Sequence, residues 1–300
     1  MAILVFGASG FVGKNLTDKL VKEGEDVIAS DITEDPFKGS VTYLRLDILD
    51  RQNVFDAVKH SDIVVDLAAS PLVASLEDPV RDMRVNIEGT LNILDAARKH
   101  KVSKIIYSSA SSVVGKVVCN PVDEEHPCSP NTPYAVAKRA CENYLRVYNQ
   151  EFGLNYIAFR FFNVYGPWQS YRSGALIPNL YRTLVENKEF QVYGDGSSTR
   201  DFVYVGDVVE FCHSAIKEDV KNLIINMGTG RGTSIIKLID LASKLLDVKP
   251  RIVRRPSRPG EIGNFEADTR RLVRLFGRKP STLLEEGLKR TFSWLEAHSS

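Results

Sequence analysis

The sequence predicts an α/β fold, a doubly wound parallel sheet followed by a smaller, intermittent C-terminal lobe. Three observations predict it. Short apolar runs without alternation recur along the first half of the 300 residues, as in strands covered on both faces. Stretches of helical periodicity separate them, and strands alternating with helices mean parallel pairing. After residue 165 the alternation gives way to loops rich in Gly, Pro and Ser, at 165–178 and 194–200, with a basic one at 254–261.

The elements follow in order. Residues 2–6, AILVF, read as a buried strand, and 11–24 as a helix closed by Gly24. Strands are expected at 26–31 and 41–48, then a helix at 50–59 opened by the capping Asp50. A strand at 62–69, a long amphipathic helix at 79–100 and a strand at 103–109 come next. A helix at 133–153 starts at Pro133 and stops at Gly153, and 155–161 is a sixth strand. A Rossmann-type first domain is therefore expected over 1–165, with 200–227 returning to it, and a substrate lobe over 166–199 and 228–300.

Composition excludes several function classes. Net charge is +1, with 43% hydrophobic and 26% charged residues, so no bulk field favours nucleic acid or a membrane surface. Cys119, Cys128, Cys141 and Cys212 form no C-x-x-C pair and the five histidines stand apart, so no metal site is expected. Free thiols, no secretory leader and no run of ~20 apolar residues suggest a cytoplasmic protein.

Two motifs carry chemistry. GASGFVG, residues 7–13, places Gly7, Gly10 and Gly13 between a strand and a helix, where the backbone can approach a pyrophosphate seated on the helix N-terminus. Asp31 ends the next strand, where it suits a ribose 2′-hydroxyl and repels a 2′-phosphate, so NAD is expected rather than NADP. Asp47, with Ile48 beside it, either meets the adenine or caps a turn. YAVAK sets Tyr134 and Lys138 on one helix face. A free phenol titrates near ~10 and is a poor base at neutral pH, but a neighbouring ammonium favours its ionised form. It would then take a proton from a sugar hydroxyl while hydride leaves the same carbon.

With the serine-rich stretch YSSASSVVG (107–115) between them, these motifs stand in the order of the extended short-chain dehydrogenase/reductases. NIEGTLNILDAAR (86–98), RFFNVYGP (160–167), YGDGSSTRDFVYVGDVV (193–209), NMGTG (226–230) and RPGE (258–261) resemble the nucleotide-sugar epimerase/dehydratase branch, over nearly the whole chain. The resemblance implies NAD, a nucleoside-diphosphate sugar, transient oxidation at the sugar C4 and a homodimer paired through the helices at 79–100 and 133–152. For the cofactor it implies Gly7, Gly10, Phe11, Val12, Gly13, Leu67, Ala68, Ala69, Asn86, Ser108, Tyr134, Lys138 and Phe161. For the substrate it implies Asn163, Arg200, Arg258, Glu261 and Phe265, the last as a gate beside the sugar C2 group. Arg251, Arg254 and Arg255 read as a solvated basic loop.

One departure stands out. Family members end the fifth strand with a Ser or Thr for the sugar 4-hydroxyl, and counting back from Gly115 that position is Ala110. Either Ser109 or Ser111 takes the role, or Tyr134 works alone; Ser112 is a further candidate for substrate contact, and Val114 stands where relatives usually carry tyrosine. Dehydratases and decarboxylases of the family carry acids after this position, where this chain has Ser111 and Ser112. The expectation is therefore redox-neutral C4 epimerisation of a UDP-hexose, UDP-glucose or UDP-galactose. A 4-keto-sugar reductase, a dehydratase, a dehydrogenase of a smaller substrate and a non-catalytic NAD sensor remain as alternatives.

Overall fold

The computed structural model describes residues 1–171, 174–257 and 263–298. In chain order it begins β1 (Ala2–Phe6), α1 (Phe11–Lys22), β2 (Asp26–Asp31), β3 (Thr42–Arg45), α2 (Arg51–Val58), β4 (Ile63–Asp66), α3 (Leu72–Glu77), α4 (Pro79–Met83), α5 (Thr90–His100) and β5 (Lys104–Ala110). It continues with α6 (Pro133–Phe152), β6 (Tyr156–Phe161), β7 (Asn163–Tyr165), α7 (Leu176–Val185), β8 (Glu189–Tyr193), β9 (Thr199–Tyr204), α8 (Val205–Lys217) and β10 (Leu223–Met227). The last elements are β11 (Gly232–Ser234), α9 (Ile235–Leu246), β12 (Arg251–Arg255), α10 (Arg270–Phe276) and α11 (Leu284–Ala297).

Contacts divide the chain into two units. The first comprises Met1–Gly115, Pro127–Phe161 and Val209–Ile225; the second comprises Lys116–His126, Phe162–Val208 and Asn226–Ser300. The division differs from the sequence expectation. Residues 116–126 and 162–165 belong to the second unit, and the return starts at Val209 rather than 200, because β9 pairs with β7 and β11 in a sheet of its own. No helix among the described residues is long and apolar enough to cross a membrane.

The first unit is built on a seven-stranded sheet, β10-β6-β5-β4-β1-β2-β3. β1 lies in its interior, parallel to β2 on one side and to β4 on the other, with Ile3 opposite both Val27 and Ile63. Chain direction across the sheet reverses there, and a crevice opens beyond the carboxyl ends of β1 and β4. Leu4, Phe6, Val64 and Ile105 bury one face against Ile93, Leu94 and Ala97 of α5.

Elements are shorter or more broken than periodicity suggests, for local reasons. The expected strand at 41–48 stops at Arg45, since the Asp47 carboxylate accepts the Leu49 amide at 2.9 Å and turns the chain. The expected strand at 62–69 stops at Asp66, whose carboxylate accepts the Ala68 amide at 3.2 Å. The helix expected at 79–100 starts where expected, at Pro79, with Asp78 capping the Arg81 amide at 2.9 Å, and a separate short helix, α3, precedes it. A π-helical turn, Arg84–Gly89, then joins α4 to α5.

Helix α6 is held to the sheet by a buried ion pair. Glu142, fully buried, accepts from Arg160 Nε and Nη2 at 2.8 and 2.9 Å, from Arg139 Nη1 at 2.9 Å and from Ser109 Oγ at 2.7 Å. Burial opposes its ionisation, but the hydrogen bonds and charge of Arg160, with Ser109 and Arg139, outweigh burial and hold the carboxyl below its ordinary range.

The second unit contains the sheet β11-β9-β7 and the parallel pair β12-β8. Its hub is Asp201 on β9. The buried carboxylate accepts from Thr229 N at 2.9 Å, Thr229 Oγ1 at 2.6 Å, Gly230 N at 2.9 Å and Ala267 N at 3.2 Å, tying three chain segments together.

Replacing Glu142 by Gln keeps the shape but leaves the buried Arg160 guanidinium without its counter-charge. A loss of about 3–5 kcal/mol in unfolding free energy is expected in urea titration. A change under 1 kcal/mol would mean that the pair is relaxed into solvent.

Candidate active site

A groove of about 310 Å³ opens at the carboxyl edge of the first unit's sheet. Of the residues expected to hold the cofactor, Gly7, Gly10, Asp31, Asp47, Ile48, Leu67, Ala68 and Ala69 line it. Gly7 has φ +74°, and a Cβ on it would lie 2.6 Å from the Ala68 amide nitrogen. A Cβ on Gly13 would lie 2.0 Å from the Gly7 carbonyl oxygen. The turn therefore closes only with hydrogen at both positions. Gly10 caps α1 with no side-chain hydrogen bond, so the first-turn amides are left for an anion. Phe11, Val12 and Gly13 continue this first turn into the helix.

Asp31 reaches back to the glycine turn: its Oδ2 accepts the Ser9 amide at 3.0 Å and its Oδ1 the Ile32 amide at 2.8 Å. Ser9 Oγ lies 3.0 Å from the Tyr43 hydroxyl. Asn86 acts from the π-helical turn. Its Oδ1 accepts the Ser70 amide at 2.9 Å, its Nδ2 donates to the Ser70 carbonyl at 3.2 Å and to Asp82 Oδ1 at 2.6 Å, and its carbonyl takes the Cys141 thiol at 3.0 Å. It thus shapes the segment after Ala69. Sequence reasoning missed Arg81, the one cation among the groove's lining residues. The donor set fits a dinucleotide: bare backbone amides for a pyrophosphate, a carboxylate for a ribose, and apolar walls at Ile48 and Leu67.

The catalytic candidates sit at the start of α6, where Thr132 Oγ1 accepts the Ala135 amide at 3.2 Å and Pro133 fills the first turn. Tyr134 is half-buried, and its hydroxyl has no partner among the described residues. Lys138, one turn on, is buried. Its ammonium lies 4.7 Å from the Tyr107 ring centroid and 5.7 Å from that of Tyr134.

The serines separate cleanly. Ser108 Oγ donates to the Asp66 carbonyl at 3.0 Å, and Ser109 Oγ is engaged by Glu142. Ala110 is the last residue of β5, opposite Phe161. Ser111 opens a 3₁₀ turn, Ser111–Val114, with its hydroxyl unpaired among the described residues. Ser112 Oγ is buried and without a partner.

In the second unit, Asn163 Nδ2 donates to the Asp201 carbonyl at 3.3 Å. Arg200 Nη1 donates to the carbonyls of Thr199 and Gly263, at 2.8 and 3.0 Å. Phe265 forms a backbone bridge with Arg200 and is only 6% exposed, its ring 5.0 Å from that of Phe162. Arg258 and Glu261 lie outside the described residues. Sequence reasoning also missed Asp66, Glu142, Arg160 and Asp201. Charges inside otherwise apolar strands, as in DIVVD and YIAFRF, were the available signal.

Comparison with known proteins gives a family and several relatives. A family model described as the NAD dependent epimerase/dehydratase family matches residues 3–228. A Methanocaldococcus jannaschii protein provisionally named UDP-glucose 4-epimerase is 35% identical over 303 residues, 98% of each chain. A UDP-N-acetyl-alpha-D-glucosaminuronate decarboxylase of Bacillus cytotoxicus is 31% identical, over 97% of this chain and 96% of its own. The solved UDP-glucose 4-epimerase of Thermotoga maritima, with UDP-glucose, superposes with a TM-score of 0.94 at 31% identity, covering 100% of both chains.

The close approach at the glycine turn is directly testable. Gly13→Ala must push the Gly7 carbonyl aside, an overpacking cost of about 1–3 kcal/mol. NAD binding, followed by titration calorimetry, should weaken by roughly tenfold or more. An unchanged dissociation constant would show that the turn yields freely.

Proposed function

The chain belongs to the NAD-dependent epimerase/dehydratase family, and on that premise we propose that it interconverts the C4 epimers of a UDP-hexose, UDP-glucose and UDP-galactose. One observation carries the reading: a buried Lys138 ammonium beside Tyr134, with serines and no acid in the turn that follows β5. Elimination of water needs an acid and a base beyond the tyrosine. Epimerisation needs none.

Bound NAD supplies the acceptor, and then the donor, of the hydride at the sugar C4. The protein's residues do the rest. Lys138, one helical turn from Tyr134, would hold the nicotinamide ribose. Tyr134 takes the 4-hydroxyl proton as the C4 hydrogen leaves, which gives a transient 4-keto sugar. Once the sugar presents its other face, Tyr134 returns the proton. Ser111 is the hydroxyl we assign to the sugar oxygen, since Ser109 already donates to Glu142. Asn163, Arg200, Arg258 and Glu261 are assigned to the nucleoside diphosphate and sugar, with guanidinium forks matched to phosphate oxygens. Phe265 is assigned as the limit on bulk at the sugar C2.

We also propose a two-fold dimer. α3 and α4 expose Leu72, Leu76, Val80 and Met83, and α6 exposes Val136, Tyr144 and Val147, an apolar surface larger than scattered side chains need. An isologous helix pairing would cover it.

Tyr134→Phe should lower turnover of UDP-galactose by ~10²-fold or more while the protein still retains NAD. Turnover near that of the unaltered protein would remove Tyr134 from the mechanism. Phe265→Ser should raise kcat/KM for UDP-N-acetylgalactosamine relative to UDP-galactose. If the unaltered protein already turns over both equally, Phe265 sets no limit at C2.

A further inference from the structure

Lys138 presents a physical problem that the reaction alone does not solve. The residue is only 1% exposed, and its ammonium has no hydrogen-bond partner among the described residues; it rests over the Tyr107 ring. A buried ammonium is costly unless a counter-charge is fixed nearby. Two carboxylates that the reaction does not use, Asp66 and Asp82, are equally buried at 1% exposure, and both feel the Lys138 charge.

Asp66 is the better held of the two. It ends β4, opposite Phe6 of β1 and Tyr107 of β5, the ring beneath the ammonium. Its Oδ2 accepts from Thr90 Oγ1 of α5 at 3.1 Å and its Oδ1 from the Ala68 amide at 3.2 Å. Asp82 Oδ1 takes Asn86 Nδ2, and its Oδ2 has no partner.

We propose that Asp66 is a positioning residue for Lys138, the fixed counter-charge that keeps the ammonium beside Tyr134 and the nicotinamide ribose. This rests on the assignment of Tyr134 and Lys138 to an NAD-dependent reaction. The groups facing Asp66 are few. Tyr107 comes from β5, its phenol pushed well up by burial, and Cys141 comes from α6, its thiol also pushed up by burial. Lys138 comes from α6, and among the described residues α5 brings Thr90 and β1 brings Phe6. Tyr134 and Asp82 complete the charged surroundings of Lys138.

Burial pushes the Asp66 carboxyl up to about 6, against the pull of Lys138 and Thr90. The carboxyl is therefore an anion at neutral pH and is neutralised in mild acid. A folded-state value above the unfolded one means that this group favours the fold most at low pH, and that the benefit is lost as pH rises through about 6. The charge is thus kept at the expense of stability.

The test follows NAD rather than sugar turnover, so it stands even if the sugar assignment fails. NAD dissociation constants of the full chain are measured by calorimetry from pH 5 to 8, and melting temperatures of the NAD-free chain at pH 5 and pH 8. The unaltered protein should bind NAD about tenfold more weakly at pH 5 than at pH 8, the size of a one-unit proton linkage. Asp66→Asn should bind weakly at both pH values, and its melting temperature relative to the unaltered protein should be higher at pH 8 than at pH 5. Asp82→Asn should keep the inflection. If Asp66→Asn does not fold, Thr90→Val, which removes a donor to the anion, should move the inflection to higher pH. A flat profile in the unaltered protein, or an inflection that persists in Asp66→Asn or is unmoved in Thr90→Val, overturns the proposal.

Discussion

The first unit depends on the buried contact between Glu142 and Arg160. Tyr134, Lys138 and Glu142 stand four residues apart on one face of α6, so fixing Glu142 fixes the roll of the helix about its axis. Arg160 on β6 and Ser109 on β5 both donate to that carboxylate. A helix held only by apolar contacts can slide or rotate by a fraction of a turn at small cost. Directional hydrogen bonds to a buried charge forbid this, because any shift leaves an ion unpaired. The same contact bears on the serine stretch: it draws the Ser109 hydroxyl inward and leaves that of Ser111, across Ala110, unpaired among the described residues.

The groove at the glycine turn rests on a different constraint, the closeness of backbones. The glycine turn packs on the chain at Leu67 and Ala68 with no space for a side chain at Gly7. Everything that shapes that chain therefore shapes the groove. Asp66 bends it out of the ladder, and Asn86 holds its continuation at Ser70. Asn86 lies in the π-helical turn, where the shifted ladder leaves its carbonyl to the Cys141 thiol. Irregular helix is common where a side chain must be aimed rather than merely buried.

In the second unit Asp201 does for β9 what Glu142 does for α6. Three amides and one hydroxyl converge on its carboxylate. Arg200, its neighbour, holds the carbonyl of Gly263 and pairs through its backbone with Phe265. Phe265 is thereby fixed against Phe162, and a residue fixed in this way can limit bulk with little freedom to yield.

Local pattern was enough to find the parallel sheet, the glycine turn and the Y-x-x-x-K helix. Each is written in neighbouring residues: apolar runs for strands covered on both faces, glycines where backbones touch, and a four-residue spacing for a shared helix face. Asp31 followed in the same way, as the last residue of the second strand. Tertiary structure alone decided where Ser109 donates, because Glu142 is thirty-three residues away in sequence and reaches it only once α6 packs on β5. It decided as well that the long helix at 79–100 carries a π-helical turn, since the ties of Asn86 to Ser70 and Cys141 do not show in periodicity. Glu142 and Asp201 looked like ordinary polar residues in sequence. Their weight comes from burial and from donors supplied by distant segments, and neither quantity exists until the chain has folded.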